Sequence, residues 1–381
     1  MFSLDNFYNI IHSNLIVPNG GQSNYFTPFG TYQHHMVLDK EFQISDITKQ
    51  FQIKSTWNTN NLNSGFYHCY FFDQEPFYTK TEKIALQSVL TKHWCKNSKH
   101  VKILANSEHS ALLNKFAEDN YFYNWYYFFH GFAALDWYRD FQYVPQSYFN
   151  RFDKVFICYN HIISKLRSYR LHLVSNLIEQ DLVQYGHVSL QLQDQVHSWR
   201  EVITDPESML SNRARLHINK ILSTVSNPLV IDTDQPHGSL SAEVNLDQLT
   251  RALWHVVTET VYYPEKLHLT EKIFKPIVAR QPFVLLGCAF NLRYLRSYGF
   301  KTFDSWWDES YDVVIDPVAR LQAVVGIIRD ISAMSDSDLE SMLQGMQHVL
   351  DYNYELFYSR RFVDTIWNEL AENLEHTLAQ L

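Results

Sequence analysis

The chain is poor in the residues that build disulfide-rich or fibrous proteins. It has 381 residues, of which only 4 are cysteine, 11 are glycine and 11 are proline. Cys69, Cys95, Cys158 and Cys288 lie far apart, with no Cys-x-x-Cys pair and no Cys/His spacing of the zinc type. This composition excludes a disulfide scaffold, a zinc finger and a fibrous repeat, and it predicts buried thiols.

Long apolar runs, a signal peptide and metal-ligand spacings are also lacking. No apolar run approaches the ~18 residues of a membrane-spanning helix, and the first residues lack the basic and apolar regions of a signal peptide. The 18 histidines do not fall at metal-ligand spacing. We therefore expect a protein of a reducing cytoplasm, with no metal site and no membrane partner.

The length indicates two domains, because 381 residues exceed one ordinary compact core. We place the first at 1–150 and the second at 151–381. The net charge of -9 argues against sequence-independent binding of nucleic acid by the chain as a whole. The sequence does not indicate an oligomeric state.

One lysine-rich stretch departs from the acidic balance. Residues 79–115 hold seven lysines and two glutamates, a local charge of +5. Lys92, Lys96, Lys99 and Lys102 lie there with aromatic side chains between them, and they could track the phosphates of double-stranded DNA. The alternative interpretation is a solvated helix and turn.

Strand-like and helix-like patterns alternate along both halves of the chain, which predicts an α/β fold with parallel sheets. The predicted strands cover residues 65–72, 101–105, 121–129, 186–190, 228–232 and 283–286, with a short edge element at 300–303. Residues 153–160 are predicted as a strand followed by a polar loop that begins after residue 158. The predicted helices cover residues 79–94, 107–119, 167–181, 317–331 and 336–380. Ligands collect at the carboxyl ends of such strands, so chemistry is expected in the loops that follow them.

Four polar residues of the first half follow predicted strands. Asp73 and Glu75 come directly after the strand at 65–72, and either carboxylate could deprotonate an acceptor hydroxyl. His130 and Asp136 follow the strand at 121–129, in a predicted turn, and could serve as a base or bind the acceptor. The alternatives are a helix cap for Asp73 and a hydrogen-bonded structural pair for His130 and Asp136.

The second half offers a basic helix start after the strand and loop at 153–160. Asn160 lies in the loop, and Arg167 and Arg170 open the helix, where their guanidinium groups could fork onto a diphosphate. A solvated basic helix start is the alternative. Cations are unfavourable at a helix N-terminus, which favours an anionic partner.

The most specific pattern is Thr270-Glu271-Lys272, followed by apolar residues at helical spacing. Thr270 can cap the helix, and Glu271 and Lys272 then lie in its first turn. The helix N-terminus and the Lys272 ammonium would together attract an anion such as a diphosphate. A capped surface helix with solvated side chains is the alternative.

The segment Leu269-Thr-Glu-Lys-Ile-Phe-Lys275 resembles the donor-site motif of α-1,3-fucosyltransferases and of phage-encoded glycosyltransferases. The resemblance covers residues 254–312 best and includes Glu259, whereas Thr260 replaces the family's Asn. It implies that Glu271 holds the ribose hydroxyls of a sugar nucleotide, that Lys272 meets the diphosphate, and that Glu259 and Thr260 lie close to the nucleotide sugar. The fold implied is GT-B, with two Rossmann-like domains facing a cleft.

The resemblance implies a glycosyltransferase that moves a sugar from a nucleoside-diphosphate sugar, UDP-sugar favoured, to an acceptor hydroxyl. The nucleotide sugar is a co-substrate, and no separate cofactor is expected. Glu75 or Asp136 would be the base and Lys272 would stabilise the leaving group, without a metal and, as the resemblance implies, with inversion. The resemblance to phage proteins implies a hydroxymethylated pyrimidine of phage DNA in an infected cell as the acceptor, and the stretch 79–115 offers a phosphate surface for it. The alternatives are a glycan or protein acceptor, and a non-catalytic nucleotide-binding or virion protein.

Overall fold

The chain divides into two compact units in the computed structural model. The structure describes residues 7, 11, 23–28, 51–55, 67–72, 100–142, 152–194, 197–229, 242, 244–263 and 266–380. Unit 1 comprises Met1–Asp136 and Val363–Leu381, and unit 2 comprises Trp137–Phe362. The sequence places the division near residue 150 and assigns the end of the chain to the second domain, whereas the contacts divide the chain after Asp136 and assign its last residues to unit 1.

Each unit contains both strands and helices. The strands are β1 Ser23–Pro28, β2 Phe51–Ser55, β3 Tyr67–Phe72, β4 His100–Asn106, β5 His109–Ser110, β6 Tyr123–Tyr126, β7 Lys154–Cys158, β8 Gly186–Val188, β9 Ala252–Thr258, β10 Lys266–Leu267 and β11 Phe283–Leu286. The helices are α1 Ala111–Asp119, α2 Phe129–Trp137, α3 Tyr169–Glu179, α4 Trp199–Thr204, α5 Asn212–Leu222, α6 Leu246–Leu249, α7 Phe274–Val278, α8 Asn291–Ser297, α9 Pro317–Ser332, α10 Asp336–Tyr358 and α11 Arg360–Leu378. The predicted α/β class with parallel sheets is confirmed.

The sheet of unit 1 has the strand order β2-β1-β3-β4-β6. Its neighbours are parallel except for β1 and β2, which are antiparallel. The predicted strands at 65–72 and 101–105 correspond to β3 and β4. The predicted strand at 121–129 is wrong beyond Tyr126, because the chain enters α2 at Phe129.

Helix α2 replaces the predicted turn around His130 and Asp136. Its side chains from Phe129 to Ala134 are all buried. A run of aromatic residues followed by two alanines suits either a buried strand or a buried helix, and periodicity does not separate the two. His130 is therefore a buried helical residue, and Asp136 is a half-buried one near the helix end.

The last helix, α11, packs in unit 1, where its polar side chains donate hydrogen bonds to carbonyl groups of the edge strand β6. Asn373 Nδ2 donates to Tyr126 O at 3.2 Å, and Thr377 Oγ1 donates to Asn124 O at 2.7 Å. In the other direction, Trp125 Nε1 donates to Leu370 O at 2.9 Å. Helix α11 thus covers carbonyl groups of β6 that no neighbouring strand would pair.

The sheet of unit 2 is fully parallel, with the order β11-β9-β7-β8. Every side chain of β9 and of β11 is buried, as expected for a parallel sheet covered on both faces. The chain leaves β7 toward β8 on one side and returns to β9 on the other. The strand order therefore reverses between β7 and β9, and their carboxyl ends flank the position where ligands bind in open α/β sheets.

Outside this sheet, several predicted elements change. The predicted edge element at 300–303 is wrong: this segment forms no strand, and the Glu309 carboxylate instead binds Phe303 N at 2.9 Å and Thr302 Oγ1 at 2.6 Å. The predicted strand at 228–232 is described only to Leu229, which forms one antiparallel bridge with Leu190. The helix predicted at 336–380 breaks at Ser359 into α10 and α11. The predicted helix at 79–94 lies outside the described residues.

Within the described part of the chain, no helix combines the length and the apolar character that a membrane span requires.

Candidate functional site

Three loops of unit 2 meet at the carboxyl edge of its sheet. Strand β7 continues into Tyr159 and Asn160, β9 into Glu259 and Thr260, and β11 into Gly287. Because the strands are parallel, these loops emerge at the same edge, on both sides of the point where the strand order reverses. We call this region the switch-point site.

The Thr270-Glu271-Lys272 triplet forms the predicted capped turn. Thr270 has an extended backbone, and its Oγ1 accepts a hydrogen bond from Lys272 N at 3.4 Å. Residues Glu271–Ile273 make one 3-10 turn, which leads into the five-residue helix α7. A helix this short carries little macrodipole, so the charge of the Lys272 side chain has to dominate the attraction of an anion.

The carboxylate of Glu259 binds both threonines of the site. Oε2 accepts from Thr270 Oγ1 at 2.5 Å and from Thr260 N at 3.2 Å, and Oε1 accepts from Thr270 N at 3.2 Å. Glu259 has no exposed surface. Burial raises the pKa of this carboxyl group, and the Lys272 ammonium and the Thr270 hydrogen bonds oppose that rise.

The ammonium group of Lys272 lies among three oxygen atoms of the site. Nζ is 2.7 Å from Glu271 Oε1, 3.2 Å from Thr260 Oγ1 and 3.4 Å from Thr270 Oγ1. The Lys272 side chain is 31% exposed and that of Glu271 only 3%. The ammonium therefore combines a defined position with access from solvent.

The start of α3 anchors the end of β9. Tyr169 Oη donates to Glu259 O at 2.6 Å, and Arg170 Nη2 donates to Thr258 O at 2.8 Å and to Glu259 O at 3.4 Å. Arg170 Nη1 donates to Ile162 O at 2.9 Å. The guanidinium group of Arg170 is buried and directed at main-chain carbonyl groups, and burial lowers its pKa.

A second buried guanidinium group holds the loop after β11. Arg320 Nε donates to Gly287 O at 3.1 Å, Nη2 donates to Tyr262 O at 2.8 Å, and Nη1 donates to Val314 O at 2.6 Å. Among the described residues, neither Arg170 nor Arg320 has a carboxylate partner. Buried charges are normally paired, so two such cations leave the edge of the sheet electropositive.

Asn160 presents an unsatisfied buried group at the end of β7. Its main-chain N donates to Ser189 Oγ at 2.8 Å, and its Nδ2 lies 3.2 Å from Cys158 Sγ. Its Oδ1 is buried and makes no hydrogen bond with any described residue. A buried acceptor of this kind costs about 1–3 kcal/mol when it stays unsatisfied.

The remaining predicted site residues are placed as follows. Arg167 is half-buried in the short turn before α3, and His130 and Asp136 lie in α2 of unit 1. Asp73, Glu75, Lys92, Lys96 and Lys99 lie outside the described residues. Lys102 lies in β4, where only its main chain is described. The structure thus brings together Glu259, Thr260, Thr270, Glu271, Lys272 and Arg170.

Sequence reasoning missed three residues that shape the site. Tyr169 and Arg320 act through main-chain carbonyl groups, and no local pattern marks such contacts. Gly287 allows the loop after β11 to approach Glu259, because an added Cβ would lie 3.4 Å from Glu259 Cβ and 2.6 Å from Asn291 Nδ2. A lone glycine directly after a buried strand was the available signal for this close approach.

Among the described residues, no group of three His, Cys, Asp or Glu side chains could hold a metal ion. No protein-family model, curated protein or solved structure matches the chain.

Proposed function

We propose that the protein is a nucleotide-sugar-dependent glycosyltransferase and that the diphosphate of its donor binds at the switch-point site. The observation that carries this proposal is the Lys272 ammonium, which is partly exposed and held by Glu271 and two threonine hydroxyl groups beside the reversal of strand order. Phosphate oxygen atoms are strong acceptors for such a group. The position agrees with the general location of nucleotides in open α/β sheets.

The charge of the site supports an anionic ligand. Lys272, Arg170 and Arg320 carry three positive charges, and Glu259 and Glu271 carry two negative ones when ionised, so these five groups leave an excess of one positive charge. Both guanidinium groups are buried and immobilised on carbonyl oxygen atoms. Preorganised charges of this kind stabilise the negative charge that develops on a leaving diphosphate.

In the proposed reaction, a base deprotonates the acceptor hydroxyl, whose oxygen attacks the anomeric carbon of the donor. The bond from that carbon to the diphosphate breaks, and Lys272 stabilises the leaving group. We assign the base to unit 1, as Glu75 or Asp136. We further propose that the reaction inverts the anomeric carbon and that the two units correspond to the two domains of a GT-B enzyme.

The acceptor we propose is a hydroxymethylated pyrimidine in duplex DNA, with the lysine-rich stretch 79–115 as the phosphate-binding surface. Affinity for DNA should then fall steeply with salt, and Lys96→Glu with Lys99→Glu should weaken it. Absent or salt-independent binding would favour a glycan or protein acceptor. Nucleotide binding without transfer would favour a non-catalytic nucleotide-binding or virion protein.

Nucleotide binding is tested first. Purified protein is titrated with UDP and GDP while its melting temperature is recorded, and a ligand at 100-fold its Kd adds about 2.7 kcal/mol of stability. Lys272→Met should lose most of this gain. Lys220→Met is the matched control, because Lys220 also pairs with a glutamate, at 3.0 Å, but on the exposed surface near the far end of α3. No gain with either nucleotide in the wild type would refute the donor site.

Transfer is tested next, by intact-mass analysis of products after nucleotide sugars are offered with hydroxymethylated DNA or with glycan acceptors. The mass added identifies the sugar, and the molecule that gains it identifies the acceptor. Asp232 and Asp234 form an Asp-x-Asp pair outside the described residues, so the assay is repeated with EDTA. Loss of transfer that Mg²⁺ or Mn²⁺ restores would contradict metal independence.

A further inference from the structure

We infer that Glu259 is a positioning residue that places the Lys272 ammonium, and that it does not touch the ligand itself. This inference rests on the proposed function, in which Lys272 contacts the diphosphate. It replaces the role implied by the resemblance, in which Glu259 lies against the nucleotide sugar.

Glu259 is inaccessible to a ligand because protein donors surround its carboxylate. The residue has no exposed surface, and three protein donors already bind its two oxygen atoms. Its main-chain carbonyl is held as well, by Tyr169 Oη and Arg170 Nη2. Hydrogen bonds therefore hold both the main chain and the carboxylate of Glu259.

The carboxylate places the ammonium together with Glu271, because it holds both hydroxyl-bearing residues that the ammonium contacts. Glu259 binds the main-chain N and the Oγ1 of Thr270, and the main-chain N of Thr260. The hydroxyl groups of the same two threonines lie within 3.4 Å of Lys272 Nζ. One buried side chain thus joins the end of β9 to Thr270, eleven residues further along the chain, at the start of the turn that carries Lys272.

The chemistry of the contacts requires a carboxylate of this length. Two of the three donors are main-chain N–H groups, one on each oxygen of Glu259, and neither can act as an acceptor. In Glu259→Gln, either orientation of the amide directs its NH₂ group at one of these N–H groups. Aspartate is one methylene shorter and cannot span the same two partners from the same backbone position.

The surrounding packing supports the same assignment. An added Cβ on Gly287 would meet Cβ and Cγ of Glu259 at 3.4 Å, so the loop after β11 closes over the glutamate side chain. Glu259 has no exposed surface, while Lys272 keeps 31% of its side chain exposed. The arrangement therefore has a buried support and an accessible charged end.

The test compares the affinities of wild type and Glu259→Gln for UDP, GDP and the corresponding nucleosides, measured by calorimetry. The variant should bind the preferred diphosphate about tenfold more weakly, because it misplaces a charge-assisted contact, and it should bind the nucleoside with unchanged affinity. Glu309→Gln is the matched control, since Glu309 is another buried glutamate of unit 2 that accepts from a main-chain N–H and a threonine hydroxyl. It should lose stability but keep its nucleotide affinity.

The outcomes separate this inference from the proposed function. A wild type that binds neither diphosphate overturns the proposed function. If the wild type binds a diphosphate and Glu259→Gln binds it with unchanged affinity, only the positioning role is overturned. The same holds if Glu259→Gln loses equal affinity for the nucleoside and the diphosphate. If Glu259→Gln does not fold, Thr270→Val and Thr270→Ser replace it. The valine variant should lose the diphosphate contact, whereas the serine variant keeps the hydroxyl group and should keep the contact. Equal affinity in these two variants would also overturn the role.

Discussion

Removing the ammonium of Lys272 should destabilise unit 2, because the Glu271 carboxylate is buried and loses the cation at 2.7 Å. At that distance and an effective dielectric constant of ~20, the gross attraction is about 6 kcal/mol. Desolvation of the two charges cancels much of it, and the partial exposure of Lys272 screens the rest. We therefore expect Lys272→Met to cost about 2 kcal/mol of unfolding free energy, which corresponds to about 4–8 °C for a unit of this size.

A double-mutant cycle isolates the pair. Lys272→Met, Glu271→Gln and the double variant are unfolded with urea, and the coupling energy should be about 1–3 kcal/mol because the double variant no longer buries the carboxylate that Lys272 contacts. The same cycle at Lys220 and Glu179, whose side chains are 72% and 40% exposed, should give about 0.5 kcal/mol or less. A coupling at Lys272 no larger than at Lys220 would refute the buried ion pair.

Two further predictions concern glycine packing and a buried histidine. Gly287→Ala should destabilise the protein by about 1–3 kcal/mol and weaken diphosphate binding, since the added Cβ would lie 2.6 Å from Asn291 Nδ2. Gly326→Ala within α9 is the control: its added Cβ would meet only the end of the Arg329 side chain, at 3.9 Å, and it should stabilise by about 0.5–1 kcal/mol. A neutral Gly287→Ala would contradict the close approach. Burial lowers the pKa of His255 to about 3, below the 6.5 of the unfolded chain. The unfolded state therefore binds the proton first, and the stability of the protein falls as the pH drops from about 6.5 toward 3. Between pH 6.5 and 5.5 the loss from this group should be about 1 kcal/mol, and His255→Gln should remove it from urea-unfolding curves, whereas an unchanged pH dependence would refute it.

Local features of the site could be predicted because they depend on neighbours in sequence. The cap that Thr270 forms on Lys272 N is a contact between residues two apart, and the strand at 283–286 is a short apolar run after a polar turn. The alternation of strands and helices likewise predicts parallel sheets. The sequence marks each of these by the type and spacing of neighbouring residues, although the hydrogen bonds of the strands join distant segments.

The roles of the charged side chains could not be predicted, because they depend on which elements pack together. The sequence predicts that Arg170 is a cation at a helix start that can bind a diphosphate. In the structure α3 packs against the end of β9, and the guanidinium group satisfies Thr258 O and Glu259 O instead. Arg320 acts in the same way on Gly287 O, from a helix that begins thirty residues further along the chain.

At the end of the chain, too, the local structure could be predicted but its packing could not. Periodicity predicts that residues 336–380 are helical, and they are, apart from the break at Ser359. It does not predict that α11 joins unit 1, because that depends on Asn373 and Thr377 meeting the unpaired carbonyl groups of β6.

The α/β class, the parallel sheets and the capped Thr270-Glu271-Lys272 turn could be predicted from the sequence, since residue type, spacing and element order indicate them. The burial of Glu259, the exposure of Lys272 and the bonds of Arg170 and Arg320 to carbonyl groups could not, because they depend on which distant segments pack together. Burial and long-range hydrogen bonding determine whether an ionisable side chain faces protein or ligand.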